Sequence, residues 1–241
     1  MNKSSRNSSR ERKRLIEQMQ QSQARADRRR TIFVVAAAIV VGLAIVAYPA
    51  VRLVQDSRDR NASTAELGVA ADAAGCDAVV EDKTQGNLDH KPDGTPLTYA
   101  VSPPSSGPHY QVPASFERKF YTASDRPAMG NLVHNLEHGY TILWYSEKVA
   151  ADSDKLRTVE KIAKSYSSSD LSGKFLAAPY QAKDGGPAWP AGKDFALSHW
   201  GGGPPEAQKG YRQYCADISG AAVKQFTDKY PATDAPEPNA A

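Results

Sequence analysis

The chain has 241 residues, with 30 basic and 27 acidic side chains and 40% hydrophobic residues. A chain of this length carries one core with appendages rather than several domains, and a composition this polar excludes a multi-pass membrane protein. The formal net charge of +3 conceals an uneven distribution, so charge is read segment by segment.

Residues 1–30 hold ten basic groups against three acidic ones, a net of +7. This basic arm, with Leu15, Ile16 and Met19 spaced for one helical face, suits anionic lipid headgroups; no nucleic-acid partner is expected. From Thr31 to Val51 there is no charged residue, and about 20 apolar residues at roughly 1.5 Å rise cross a hydrocarbon core of about 30 Å. Residues 31–54 therefore read as a transmembrane signal anchor. The run is longer than the apolar part of a cleavable signal peptide, and Tyr48-Pro49 stands where a small-residue cleavage site would be. Beyond Val54 the balance reverses to 19 basic against 24 acidic groups. The positive-inside rule then predicts a single-pass protein of the cell membrane, N-terminus cytoplasmic and the rest extracytoplasmic.

Residues 55–75, polar and rich in alanine, read as a linker. Residues 76–230 read as the folded extracytoplasmic domain, and residues 231–241, with prolines, alanines and no aromatics, as a disordered tail. Cys76 and Cys215 are the two cysteines. On the oxidising side of a membrane an even count points to one disulfide, the alternative being two separate buried thiols. Their separation excludes a CxxC redox pair.

Within the domain, Lys91 to Arg126 is dense in Pro, Gly, Ser and Asp, which predicts short regular elements only. Tyr140 to Tyr145 alternates β-branched and aromatic residues as a central strand does. Asp152 or Ser153 starts a helix with Leu156, Val159, Ile162 or Ala163, and Tyr166 on its inner face. Phe175 to Ala178 and Phe195 to Trp200 read as strands. Pro204 and Pro205 are expected to open a helix with Tyr211, Tyr214, Cys215 and Ile218 along one stripe, interrupted at Ser219-Gly220 and continued by Val223, Phe226 and Tyr230. The resulting fold class is α+β, a small sheet with two covering helices.

All five histidines, His90, His109, His134, His138 and His199, fall in this domain. In His134-Asn135-Leu136-Glu137-His138 the imidazoles four apart share a face if the segment is helical. On a strand they would lie about 13 Å apart, too far for one ion. Gly139 followed by the strand pattern limits the expected helix to a single turn or tight loop. With His109 from the Pro/Gly loop, His134 and His138 are candidate ligands for zinc or copper, Glu137 supporting an imidazole and Met129 offering a soft donor. The competing reading is a buried polar network without metal. The H-x-x-E-H order also matches inverted zinc proteases, in which Glu137 would be the general base and Glu206 the nearest distant third ligand. Ser105 and Ser106 lack a nucleophile elbow, and Gly201-Gly202-Gly203 lacks the lysine of a phosphate loop. His90, among Asp89, Lys91 and Pro92, reads as a surface residue, and His199 as a core histidine.

Pro103-Pro104-Ser105-Ser106-Gly107-Pro108-His109-Tyr110 followed by Leu132-Val133-His134-Asn135-Leu136-Glu137-His138-Gly139-Tyr140 resembles the bacterial domain-of-unknown-function family 3105, continuing more loosely through Ala196-Leu197-Ser198-His199-Trp200-Gly201 to about residue 230. The resemblance implies a membrane-anchored protein with a basic N-terminal arm and assigns no activity. It matches at His109, His134, Glu137 and His138; alanine is usual in the family where this chain has His199. The resulting expectation is an envelope protein whose outer domain is non-enzymatic and binds a transition metal. The alternatives are a metal-dependent hydrolase using Glu137 and a structural or partner-binding module of the envelope.

Overall fold

The computed structural model describes residues 34–37, 39–43, 63–84, 89–168 and 170–240. The chain divides into two units, Met1–Arg60 and Asn61–Ala241. In the first, residues 34–37 and 39–43 are helical, with Val34, Val35, Ile39, Val40, Val41 and Leu43 all exposed. Among the described residues no helix is long and apolar enough to cross a membrane. The expected arm, most of the expected anchor and the start of the linker lie outside the described residues.

The second unit is built on a sheet of five strands: β1 (Val80–Lys83), β4 (Thr141–Tyr145), β5 (Phe175–Pro179), β6 (Phe195–Gly201) and β7 (Lys209–Cys215), in the order β1-β7-β6-β4-β5. A separate two-residue parallel pair joins β2 (His90–Lys91) to β3 (His109–Tyr110). The helices are α1 (Met129–Glu137), a single turn α2 (Glu147–Ala150), α3 (Ser153–Lys164) and α4 (Gly220–Lys229).

β4 and β5 run parallel, so the chain needs a crossover between them, and α2 and α3 supply it. The remaining neighbours in the sheet are antiparallel. Every residue of β4 is buried, because the sheet is covered on both faces and alternate side chains feed two cores. Leu143 and Tyr145 join Val159, Ile162, Val223 and Phe226 under α3 and α4. Ile142 and Trp144 join Leu132, Val133, Leu136 and Trp200 under α1 and the long Pro/Gly loop. Caps fix where the two outer helices begin. The Asp152 carboxylate accepts from the amides of Asp154 and Lys155 at 3.1 Å, and Ser219 Oγ from that of Ala222 at 3.2 Å.

The α+β class stands, with a third helix, α1, packed on the second face. One element differs in kind. Where a helix was expected after Pro204-Pro205, the chain makes one 3-10 turn, Pro205–Ala207, and then strand β7. The positions 211, 214 and 215 share a helical stripe, whereas on a strand Tyr211 and Cys215 face one core and Tyr214 the other. A seven-residue antiparallel pairing from Phe195↔Cys215 to Gly201↔Lys209 decides between them; the expected continuation survives as α4. The linker and tail differ in order. Ser63 caps a short turn, Thr64–Glu66, and Val69 N donates to Ile218 O at 2.9 Å, so the domain begins about a dozen residues before Cys76. Residues 231–240 fold back on the domain: Gly202 N donates to Asp234 O at 3.0 Å, Glu237 N to Glu137 O at 3.0 Å, and Ala235 is buried. Proline-rich composition removes donors from this segment without preventing its carbonyls and remaining amides from docking.

Cys76 and Cys215 form a disulfide across 139 residues of sequence, tying the lead-in to β1 to the end of β7. A closed loop of that length constrains the unfolded chain by roughly 5 kcal/mol in the entropy model. Cys76→Ser with Cys215→Ser is expected to lower unfolding free energy by about 2 to 5 kcal/mol in urea titration; a change below about 1 kcal/mol would mean that the sheet alone fixes these ends.

Candidate metal centre

The motif residues sit where α1 ends against the sheet. α1 runs nine residues to Glu137, longer than the single turn read from the sequence, and His138 caps it. Its apolar positions Leu132, Val133 and Leu136 enter the core, which turns His134, Glu137 and His138 toward the β2–β3 pair and the C-terminal segment. Gly139, at φ 93°, turns the chain directly into β4; a Cβ there would stand 2.3 Å from Ala232 O, where the C-terminal segment crosses.

His109 arrives on the Ser-Gly-Pro-His loop, stitched to α1 at several points. Asn135 Nδ2 donates to Ala114 O at 3.0 Å and its Oδ1 accepts from Ala114 N at 2.9 Å, while Asn131 Nδ2 donates to Val112 O at 2.7 Å. Gly130 allows the close approach, since a Cβ would lie 2.7 Å from the Tyr110 ring. Asn135, inside the motif, is thus a structural staple rather than a donor to the site.

Four side chains, His90, His109, His134 and Glu137, place one ligand atom each so that all lie within 4.8 Å of one another. His109 Nε2 stands 2.9 Å from Glu137 Oε2, and His90 Nε2 stands 3.7 Å from the same oxygen. Two backbone carbonyls set the tautomers. A carbonyl only accepts, so His109 Nδ1 donates to Gly107 O at 2.9 Å and His134 Nδ1 donates to Tyr110 O at 2.6 Å. That spends the Nδ1 protons and leaves both Nε2 atoms pointing inward, as the outer partners of metal-bound histidines do. His134 Nε2, left as an acceptor, takes a hydrogen bond from His138 Nε2 at 2.9 Å.

Glu137 sets the electrostatics. Its side chain has 0% exposure, and it is the last residue of α1, at the negative end of the helix dipole, where a carboxylate is disfavoured. Neither of its oxygens has an aligned hydrogen-bond donor among the described residues, despite the short approach of His109. Burial raises the Glu137 pKa, but the His109 contact and the charges of His109, His90 and His134 outweigh it, so the carboxyl titrates below its ordinary range. For His109, burial pulls downward while Glu137 and the Gly107 carbonyl pull upward, and the net direction is up. Burial, with the neighbouring His138 ring, pushes His134 down to about 4, so it is neutral at neutral pH. The cluster is a carboxylate among imidazoles, a set of residue types that could hold a metal ion.

The structure brings His109, His134, His138 and Glu137 into one neighbourhood. Two further residues join them: His90, exposed as the sequence reading had it, and Glu237. His90 is pinned by the pairing His90↔His109, its ring centroid 4.5 Å from that of His109; a two-residue parallel pair across a loop leaves no periodic signal. Glu237 comes from the presumed tail, its Oε2 3.6 Å from His138 Nε2, and belongs to a second set with Glu137 and His138. His199 stays apart: it is fully buried, Nδ1 contacts Tyr140 O at 3.2 Å, and burial lowers its pKa to about 4. Met129 packs against the Leu132–Trp144 core. Glu206, on the β6–β7 turn, belongs to neither set. Ser105 Oγ donates to Asp82 Oδ2 at 2.7 Å, a structural role.

Residues 90–241 match the model of a family described as "Protein of unknown function (DUF3105)". The match covers more than half of the chain and all six residues of the two sets. No curated protein and no solved structure matches.

The double contact of Asn135 with Ala114 has a measurable consequence. Asn135→Ala leaves a buried amide and carbonyl without partners, each costing roughly 1 to 3 kcal/mol, so a loss of about 2 to 4 kcal/mol is expected in urea unfolding. Asn131→Ala, removing one exposed bond, is expected to cost below about 1 kcal/mol. Equal effects would contradict the staple.

Proposed function

We propose that this chain, which belongs to the DUF3105 family, is a membrane-anchored protein whose outer domain binds a transition metal through His90, His109, His134 and Glu137. One observation carries the reading. His109 Nε2 and a Glu137 oxygen meet at 2.9 Å in full burial without an aligned hydrogen bond, while the opposite ring nitrogen has spent its proton on Gly107. Two ligands of one ion at about 2.1 Å stand roughly 3 to 3.5 Å apart, and the contacts of the Glu137 oxygen with His109 at 2.9 Å and His90 at 3.7 Å bracket that spacing. An unneutralised carboxylate in that position would cost several kcal/mol.

Three imidazoles and one carboxylate suit zinc, or copper in its oxidised form. Both cysteines are bridged, so thiolate ligation does not enter. In this reading His90 joins His109, His134 and Glu137 as a ligand, and His138, a candidate ligand on sequence, groups with Glu137 and Glu237. Full burial of Glu137 supports binding over hydrolysis, since a general base needs an approach for water and substrate.

The location is argued from chemistry as well. The Cys76–Cys215 disulfide suits an oxidising compartment, and the exposed apolar helical residues between 34 and 43, bordered by the basic arm, suit a membrane anchor. The arm then contacts anionic lipid, and the outer domain is free to meet envelope partners.

The test is metal content of the full chain, purified in detergent without a histidine tag. At least one zinc or copper ion per chain is expected, lost in His109→Ala with His134→Ala. A saturating ion at about 100 times Kd should add roughly 2.7 kcal/mol to unfolding free energy. A wild-type chain that neither carries nor takes up metal would leave the buried polar network as the account. For topology, a phosphatase reporter fused after residue 241 should be active and one fused before residue 1 inactive; the reverse would overturn the orientation.

A further inference from the structure

We infer that Glu137 bridges two metal positions, the second held by His138 and by Glu237 from the C-terminal segment. This rests on the metal reading above and extends it from one ion to a pair.

The six side chains fall into two sets that overlap at Glu137: His90, His109, His134 and Glu137 in one, Glu137, His138 and Glu237 in the other. The atoms around a single ion lie no more than about 4.4 Å from one another, twice the usual bond length. Within each set all pairs lie inside 4.8 Å; one ion at one point would gather the six into one set. The first set already supplies the four donors of a tetrahedral shell. His138 and Glu237 therefore face a second position, and a carboxylate with two buried oxygens lacking aligned donors is the natural bridge. Two-metal sites place their ions about 3.5 to 4 Å apart. His134 Nε2 and His138 Nε2 share a hydrogen bond at 2.9 Å, which loading of both positions would replace with one ion on each nitrogen.

The backbone presents Glu237 deliberately. Its amide donates to Glu137 O at 3.0 Å. Lys174 Nζ, on the other side, donates both to His138 O and to Pro238 O at 2.7 Å. The end of α1 and the C-terminal segment are thus clamped together by main-chain contacts on either side of the Glu237 side chain. Glu137 has no exposed surface; as the first position opens toward solvent at His90, 34% exposed, the second opens on the Glu237 side, 41% exposed. Two divalent ions against two carboxylates leave positive charge at that open side, which fits a bound hydroxide or another small anion.

The experiment uses the full chain in detergent, loaded with zinc, dialysed into metal-free buffer and counted by mass spectrometry. Two zinc ions per chain are expected in the wild type and one in Glu237→Gln, with His138→Gln as an independent second variant. Neither substitution removes the Glu237 amide or Lys174 contacts, and a urea titration of each variant checks that the segment stays docked. Copper(II) loading gives a second readout: spin-coupled resonance in the wild type and an uncoupled single-ion spectrum in Glu237→Gln. One zinc per chain in the wild type, whether or not Glu237→Gln weakens it, overturns the paired arrangement and leaves the first site standing. No zinc in the wild type overturns both.

Discussion

A carboxylate buried at the C-terminal end of a helix is the constraint around which the domain is organised. Glu137 loses its water, faces the negative end of the α1 dipole and finds no aligned donor among the described residues. Proteins tolerate a buried charge when an opposite charge is placed against it, and here the surrounding imidazoles come from three separate pieces of chain. Without a proton or a metal ion shared between Glu137 and His109, two acceptors would confront each other at 2.9 Å. The carbonyls of Gly107 and Tyr110 hold the Nδ1 protons of His109 and His134 outward, so that either a proton on His109 Nε2 or the proposed ion meets the carboxylate.

The architecture serves that point. Burial on both faces of β4 holds the strand rigid, and the turn at Gly139 hangs α1 directly from it. The Pro/Gly loop, poor in regular structure, is stapled to α1 by Asn131 and Asn135 and delivers His109. The short β2–β3 pair delivers His90, and Lys174 and the Glu237 amide hold the C-terminal segment across the helix end. The disulfide joins the lead-in to β1 to the end of β7, segments that frame the sheet.

Much of this was legible in the residues and some was not, for identifiable reasons. β4, α3, β5 and β6 follow from local alternation and capping, and the histidine spacing in the motif needed only helical geometry to bring His134 beside His138. β7 was misread because Tyr211, Tyr214 and Cys215 have helical spacing, while the strand buries them on two opposite faces, and the long-range pairing with β6 decides the outcome. β1 is four residues of mixed polarity on the sheet edge and carries no apolar pattern. His90 lies in a turn-rich run that resembles surface loop, and Glu237 in a segment whose composition resembles a disordered tail. Both are positioned by main-chain contacts to distant residues, which composition does not encode.

X-ray absorption at the metal edge of the loaded full chain tests the central claim most directly. The account predicts a first shell of nitrogen and oxygen at about 2.0 to 2.1 Å with imidazole multiple scattering and no sulfur. A first shell of water oxygens alone, or one containing sulfur, would contradict it.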